Sequence, residues 1–409
     1  MSTLQVRADP SERGLDAGRL ERITEHFDRY VERGRLAGWL ATVTRGGDLV
    51  WTGRGGLRDR EAGLAVADDT VWRMYSMTKP VAALAAMILY EEGRFDLNDE
   101  VSQWIEELAA PRVYVAGPAD DPETVPAEAP VRVWHLFTHT SGLTYGFKRL
   151  HVTDEIYRAH GHDFGWPPSA DLASAVHDWC TMPLAFTPGT RFNYSVSSDV
   201  LGRLIEIWSG QSIEEFFRTR VLDPLGMTDT DWWCPPERAD RLAALYLATP
   251  GESARFDLLG AHATRAPRLR GAGGGLVSTA ADYERFMRLL LGRGELDGVR
   301  LVSAHTMDLM MSNHLPGGAD LATVAFDDYA EADFEGFGYG LGGFVVDDPA
   351  ANRSLFSRGT FGWGSAASCT FWVDPAEDLA VAFYTQLFPT GAISQRRELQ
   401  ALVYPALVG

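Results

Sequence analysis

Ser76-Met77-Thr78-Lys79 sets a hydroxyl and an amine three residues apart at the head of an apolar run, Val81 to Tyr90. These are the parts of a nucleophile and its base, because a serine hydroxyl attacks poorly until a neighbour takes its proton. Pro80 has no N–H and cannot bond back to the Ser76 carbonyl. The Ser-x-x-Lys step therefore lies on the first turn of the helix, or on a 3₁₀ turn leading into it. In either geometry residues i and i+3 share a face, so Lys79 reaches the Ser76 hydroxyl close to the unpaired N–H groups of the helix start. The lysine is informative because only Lys79 and Lys148 among the 37 basic residues are lysines. Arginine would not serve, since it keeps its proton near neutral pH. Lys79 itself must lose its proton to act, which burial or nearby positive charge promotes.

Two further stretches supply chemistry only in company with Ser76. Tyr194, in Phe192-Asn193-Tyr194-Ser195, follows the turn residues Pro188-Gly189-Thr190 and precedes a helical run. Alone it is a packing residue; beside Ser76 and Lys79 it is a proton carrier. Gly362-Trp363-Gly364-Ser365-Ala366 precedes a strand. Its small residues allow a substrate to approach the backbone, where a strand N–H binds an oxyanion. Other tempting residues lack a motif. His135 and His139 are four apart without the glutamate of a His-Glu-x-x-His site and read as structural. His160 and His162 lie in an irregular stretch, Trp232-Trp233 reads as core or pocket wall, and Cys369 as a small buried apolar residue.

The elements that must position these groups follow from periodicity. Leu15 to Arg35 reads as an amphipathic helix with Leu20, Ile23, Phe27, Tyr30 and Val31 on one side. Strands are expected around 38–44 and 48–53, joined through Arg45-Gly46-Gly47, a hairpin signal. Residues 111–130, rich in Pro, Ala and acid, read as a loop, and Trp134–Thr140 as a short helix. The aromatic segment 144–170 (Tyr145, Phe147, Tyr157, Phe164, Trp166) reads as an irregular lid or pocket wall. Helices are expected at 169–180, 197–209, 212–221, 279–293 and 303–312, with Ser169 opening the first. Strands are expected at 337–346, 366–373 and 379–386, and a closing helix at 393–407. This order implies a mixed α/β domain from residues 1–75 and 336–409, with an antiparallel sheet covered by the terminal helices. Residues 76–335 would form a mostly helical domain, and Ser76 would lie in the cleft between the two.

Composition narrows the partners. With 409 residues and 45% apolar content, the chain has material for a sizeable core. A net charge of −19 argues against nucleic acid or an anionic membrane surface. Met1 to Arg13 has no apolar h-region, and no apolar run approaches the roughly 18 residues of a membrane span. The three cysteines, Cys180, Cys234 and Cys369, suit a reducing compartment better than a disulfide framework or zinc site. A cytoplasmic protein is expected.

In this order, with the text between them, the three motifs resemble the serine β-lactamase and penicillin-binding-protein superfamily. Within it the chain looks most like the class C β-lactamases and, more closely, the family VIII carboxylesterases. Supporting stretches are Leu136-Phe137-Thr138-His139-Thr140-Ser141-Gly142-Leu143, Phe186-Thr187-Pro188-Gly189-Thr190, Pro224-Leu225-Gly226-Met227, Gly273-Gly274-Gly275-Leu276-Val277-Ser278-Thr279 and Trp372-Val373-Asp374-Pro375. The resemblance implies a β-lactamase-like fold and a cofactor-free, metal-free serine hydrolase. It implies Ser76, Lys79 and Tyr194 as catalytic residues, the backbone N–H groups of Ser76 and Ala366 as oxyanion hole, and Trp363, Gly364 and Ser365 as substrate-binding. Two departures bear on substrate. Trp363-Gly364-Ser365 stands where β-lactamases of this fold carry Lys-Thr-Gly, so a cationic carboxylate anchor gives way to an aromatic wall. Val196 stands where class C enzymes have an asparagine. Both favour a small neutral ester over a β-lactam or D-amino-acid peptide. The alternatives are an acyltransferase using the same acyl-enzyme, or a β-lactamase or D-amino-acid peptidase. No Gly-x-Ser-x-Gly occurs, so the α/β-hydrolase nucleophile elbow is absent.

Overall fold

A computed structural model describes residues 3–163, 170–326 and 334–408. Its organising layer is an eight-stranded sheet. In chain order the strands are β1 (Gly38–Arg45), β2 (Asp48–Asp59), β3 (Leu64–Ala65), β4 (Phe337–Tyr339), β5 (Phe344–Val346), β6 (Phe361–Gly364), β7 (Thr370–Asp374) and β8 (Leu379–Tyr384). They lie in the order β4-β5-β6-β7-β8-β1-β2-β3, all neighbours antiparallel. The sheet is thus built from both ends of the sequence, stitched where Leu40–Arg45 pairs with Leu379–Tyr384.

Alternation decides what covers each face. Phe383 pairs with Thr370 and Ala41, and its ring meets Phe27 (centroids 4.4 Å) and stacks on Trp39 (6.1 Å). Phe27 belongs to the N-terminal helix Ala17–Glu32, capped by the Asp16 carboxylate accepting from the Arg19 N–H. That helix packs against the C-terminal helix Gln395–Val403. Phe371, one residue on from Thr370, points the other way and meets Tyr283 (5.2 Å) on the helix Ala280–Leu291. The terminal helices therefore cover one face only; the other rests on a helix from the middle of the chain.

Several local expectations are corrected. Residues 111–130 are not a loop throughout: Arg112–Ala116 pairs antiparallel with Glu123–Pro126. The side chains there are mostly exposed, so no apolar alternation marks the strands; the pairing is secured by backbone bonds and by Arg112 Nε donating to Thr124 Oγ1 at 2.7 Å. The span 337–346 is two strands, because Gly342 at φ 98° turns the chain between Tyr339 and Phe344. Within 144–170 the helix Val152–Ala159 is regular, its start held by Asp154 Oδ2 accepting from the Leu150 and His151 N–H groups. Phe164, Trp166 and Ser169 lie outside the described residues. Residues 212–221 form a short α-helix, Ile213–Phe217, that widens into a π turn over Arg218–Leu222. Phe361–Gly364 is itself a strand, not only a turn before one, and the following strand starts at Thr370 rather than at 366.

Candidate active site

Ser76 sits on the 3₁₀ turn Tyr75–Met77, which runs directly into the helix Thr78–Glu91. That helix is apolar on all sides, with every residue from Thr78 to Leu89 buried, so it runs through the interior and does not lie on the surface. The turn is pinned by three bonds, two to Leu276 and one to Tyr283. The Met74 N–H donates to the Leu276 carbonyl (2.9 Å), Thr78 Oγ1 accepts from the Leu276 N–H (3.1 Å), and Tyr283 Oη donates to the Met77 carbonyl (2.9 Å). Tyr75 takes a positive φ of 41°, uncommon for a residue with a side chain. One step upstream, buried Arg73 donates to the carbonyls of Ala243 and Gly260, each at 2.5 Å, and to Gln386 Oε1 at 3.2 Å. It fastens the 243–260 stretch to the short strand Val71–Arg73 that leads into the Ser76 turn.

Lys79 is 2% exposed, and its Nζ lies 3.4 Å from Ser76 Oγ and 2.5 Å from the Gly273 carbonyl oxygen. The Tyr194 ring centroid is 4.3 Å from Nζ, within cation–π range, and that of Tyr145 is 5.6 Å away. Tyr194 comes from the loop before the helix Ser197–Ser209, whose first turn Val196 precedes. Its hydroxyl accepts from the indole N–H of Trp363 at 3.3 Å. Ser76, Lys79, Tyr194 and Trp363, from three separate stretches of sequence, thus form one contact chain.

The strand β6 that carries Trp363 and Gly364 packs against the Tyr75–Met77 turn. Beyond it Ser365–Ser368 forms a tight turn: the Ser365 N–H donates to the Cys369 carbonyl, the Ser368 N–H to that of Ser365, and Ser365 Oγ accepts from the Ala367 N–H. Ala366 and Ser76 are partly exposed, whereas Lys79, Tyr194, Trp363, Gly364 and Ser365 are buried. Trp363 is 2% exposed, so its indole faces Tyr194 as a hydrogen-bond donor and is not an open wall.

Behind Tyr194 lies a buried polar row. His139 Nδ1 accepts from the Ser195 N–H at 3.2 Å, and Ser195, Ser197 and Ser141 hydroxyls follow at 2.8 and 2.7 Å. The His139 ring packs 4.7 Å from Tyr194. Burial first, then the Lys79 and Lys148 cations, hold His139 far below the usual imidazole range, so it is a neutral support for the tyrosine. His135 Nδ1 accepts from the Arg132 N–H and closes a helix cap. His160 bonds the Ile156 carbonyl, His162 faces Asp178, and the Trp232 indole donates to the Gly271 carbonyl. Cys180, Cys234 and Cys369 are free and buried. Among the described residues no group of three or more His, Cys, Asp or Glu could hold a metal, and no helix is long and apolar enough to cross a membrane.

Sequence reasoning missed Asp199, and read Gly273 only as part of a glycine-rich supporting stretch. Asp199 is buried, and its Oδ1 accepts from the Gly273 N–H at 2.9 Å. Burial pushes its carboxyl above the usual range, while the Lys79 cation and backbone N–H groups pull it back. A signal was present, an acid five residues after Tyr194 on an otherwise apolar helical face. By itself it reads only as a helix-start carboxylate favoured by the macrodipole.

A serine on a 3₁₀ turn with a buried lysine one turn on, a tyrosine over that lysine, and a strand of an antiparallel sheet beside them define the serine β-lactamase-like class. The sequence profile of the Beta-lactamase family matches residues 23–404, and the chain belongs to that family. It is 37% identical over 364 residues to Protein Rv1367c of Mycobacterium tuberculosis (strain ATCC 25618 / H37Rv), covering 88% of each chain. It is 31% identical over 392 residues to Esterase EstB of Burkholderia gladioli, covering 92% of this chain and 93% of that one. Among solved structures, EstCE1, described as a hydrolase with promiscuous acyltransferase activity, superposes with a TM-score of 0.78 at 25% identity, over 96% of this chain and 98% of that one.

Proposed function

We propose that this protein is a carboxylesterase that cleaves small or short-acyl esters through a Ser76 acyl-enzyme. The observation that carries the reading is the contact chain Ser76–Lys79–Tyr194–Trp363, in which a buried amine lies 3.4 Å from the hydroxyl. Ser76 Oγ attacks the ester carbonyl while Lys79, in its neutral form, receives the hydroxyl proton. Tyr194, lying against the same amine, relays a proton to the leaving alkoxide, and the two titrate as a pair. The backbone N–H groups of Ser76 and Ala366 hold the oxyanion; one such donor is worth roughly 3–4 kcal/mol of barrier. Water then attacks the acyl-enzyme, with Tyr194 or Lys79 taking its proton, and Ser76 is restored.

Trp363 supports an ester over a β-lactam or a D-amino-acid peptide. A neutral indole donor touches the tyrosine where those substrates need a cation for their carboxylate. Resemblance to Esterase EstB points the same way. Acyl transfer to an alcohol is the second reading, favoured by the likeness to EstCE1. The test is hydrolysis of p-nitrophenyl acetate, butyrate and octanoate beside a chromogenic cephalosporin, in wild type and Ser76→Ala. Ser76-dependent ester turnover with little cephalosporin cleavage is expected; fast cephalosporin turnover would overturn the substrate assignment. Added alcohol diverting the acyl group from water would select the transferase reading.

A further inference from the structure

Asp199 takes no part in the steps above, yet it is built into them. It lies on the first turn of the helix Ser197–Ser209 and is 1% exposed. Its Oδ1 accepts from the Gly273 N–H at 2.9 Å, and the carbonyl of the same Gly273 accepts from Lys79 Nζ at 2.5 Å. One peptide residue is thus held by a buried acid at one end and a buried amine at the other. The second oxygen, Oδ2, is buried without a hydrogen-bond partner among the described residues. A Cβ on Gly273 would fall 2.5 Å from that oxygen and 3.0 Å from Tyr145 Oη, so only glycine leaves room for the carboxylate. An acid buried at this cost, with one oxygen unpaired, is expensive unless a nearby cation repays it.

We propose that Asp199 is a positioning residue for the reaction: linked to Lys79 through the Gly273 peptide, its carboxylate fixes both the place and the charge of that amine. The inference rests on reading Lys79 as the base. The other titratable or charged groups facing the pair are His139, Tyr145 and Lys148 from the 139–148 stretch, Tyr194 from the loop before the Asp199 helix, and Tyr339 from β4. Burial holds His139 neutral and pushes the Tyr145 phenol well up, with Asp199 adding to the latter, so neither supplies the negative charge. The carboxylate favours the ammonium form, and its removal makes the amine easier to deprotonate. Since the base is the unprotonated amine, the acid limb of reactivity then moves to lower pH.

The chain has two lysines, so lysine labelled with ¹³C at Cε gives two resonances, which Lys148→Arg assigns. In the wild type the Lys79 signal is expected to titrate in two steps, one of them reporting Asp199. In Asp199→Asn, which keeps an oxygen for the Gly273 N–H, that step disappears and the remaining midpoint falls by about one pH unit or more. Reaction of Ser76 with a fluorophosphonate, which needs no ester turnover, is expected to show its acid limb displaced by the same amount. A single-step wild-type titration, or a limb unmoved in folded Asp199→Asn, overturns the proposal; if that variant does not fold, the wild-type titration decides. A wild type that labels at Ser76 and shows a Lys79 titration step that Asp199→Asn lacks, yet hydrolyses no ester, would refute the esterase reading and uphold Asp199.

Discussion

Replacing Trp363 with phenylalanine separates two roles that one side chain combines. The ring remains to pack against Tyr339 and Tyr194, whose centroids lie 5.1 and 5.6 Å from the indole, but the N–H that reaches the Tyr194 hydroxyl at 3.3 Å is lost. To a neutral phenol such a bond contributes about 1 kcal/mol; to an oxygen gaining negative charge it contributes about 1.5–3 kcal/mol. At 3.3 Å the bond is at the long end of its range, so the lower part of that interval applies. The barrier rises only by the difference, about 0.5–1 kcal/mol, so at 1.36 kcal/mol per factor of ten kcat should fall roughly 2- to 5-fold. KM should change little, because the interaction strengthens only as charge develops. The assay is steady-state hydrolysis of p-nitrophenyl butyrate, with a thermal melt to confirm folding. The smaller ring costs stability, by about 1–3 kcal/mol. A folded variant with unchanged kcat and raised KM would make Trp363 a substrate wall and refute its assignment as a donor to Tyr194.

Further outcomes follow from named contacts. Tyr194→Phe should lower kcat by at least about 10²-fold, the scale of general acid–base catalysis; an unchanged kcat would return Tyr194 to packing. Arg73→Met would strip donors from the buried carbonyls of Ala243 and Gly260 and from Gln386 Oε1. Gln386 Oε1 keeps the Arg73 backbone N–H, so two carbonyls are orphaned; at about 1–3 kcal/mol each, urea unfolding should show a loss of at least about 2 kcal/mol, with faster proteolysis in 243–260. His135, held at about 3 by burial and by the Arg132 charge, is neutral when folded and titrates near 6.5 when unfolded. Because the unfolded chain binds the extra proton, His135 costs no stability above pH 6.5 and about 1.4 kcal/mol per pH unit as pH falls from there towards 3. His135→Asn should flatten that part of the stability profile in urea titrations at several pH values; an unchanged slope would contradict the assignment.

How far the sequence was legible depends on how local each signal was. The all-apolar run from Val81 to Tyr90 announces a buried helix, and Gly46-Gly47 between two β-rich runs announces a hairpin; both depend on neighbours in sequence. The hairpin 112–126 escapes because its strands are exposed, and period-2 burial is the signal on which strand reading rests. The break in 337–346 escapes because Gly342 sits among glycines that read equally well as strand interior. At the site, Ser76 and Lys79 are legible because one helical turn joins them. The indole bond between Trp363 and Tyr194 joins residues 169 apart, and Asp199 finds its partner 74 residues away at Gly273. No periodicity encodes such pairings; they appear once the sheet, the Ser76 helix and the glycine stretch 271–275 are packed together.

The central claim is that Ser76 carries the acyl group. Wild type and Ser76→Ala should be mixed with p-nitrophenyl acetate, quenched in acid during turnover, digested and read by mass spectrometry. The account predicts one acetyl group on the peptide containing Ser76, none in the variant, and loss of hydrolysis with it. Hydrolysis at the wild-type rate by Ser76→Ala, or a catalytically competent acyl group on another residue, would contradict it.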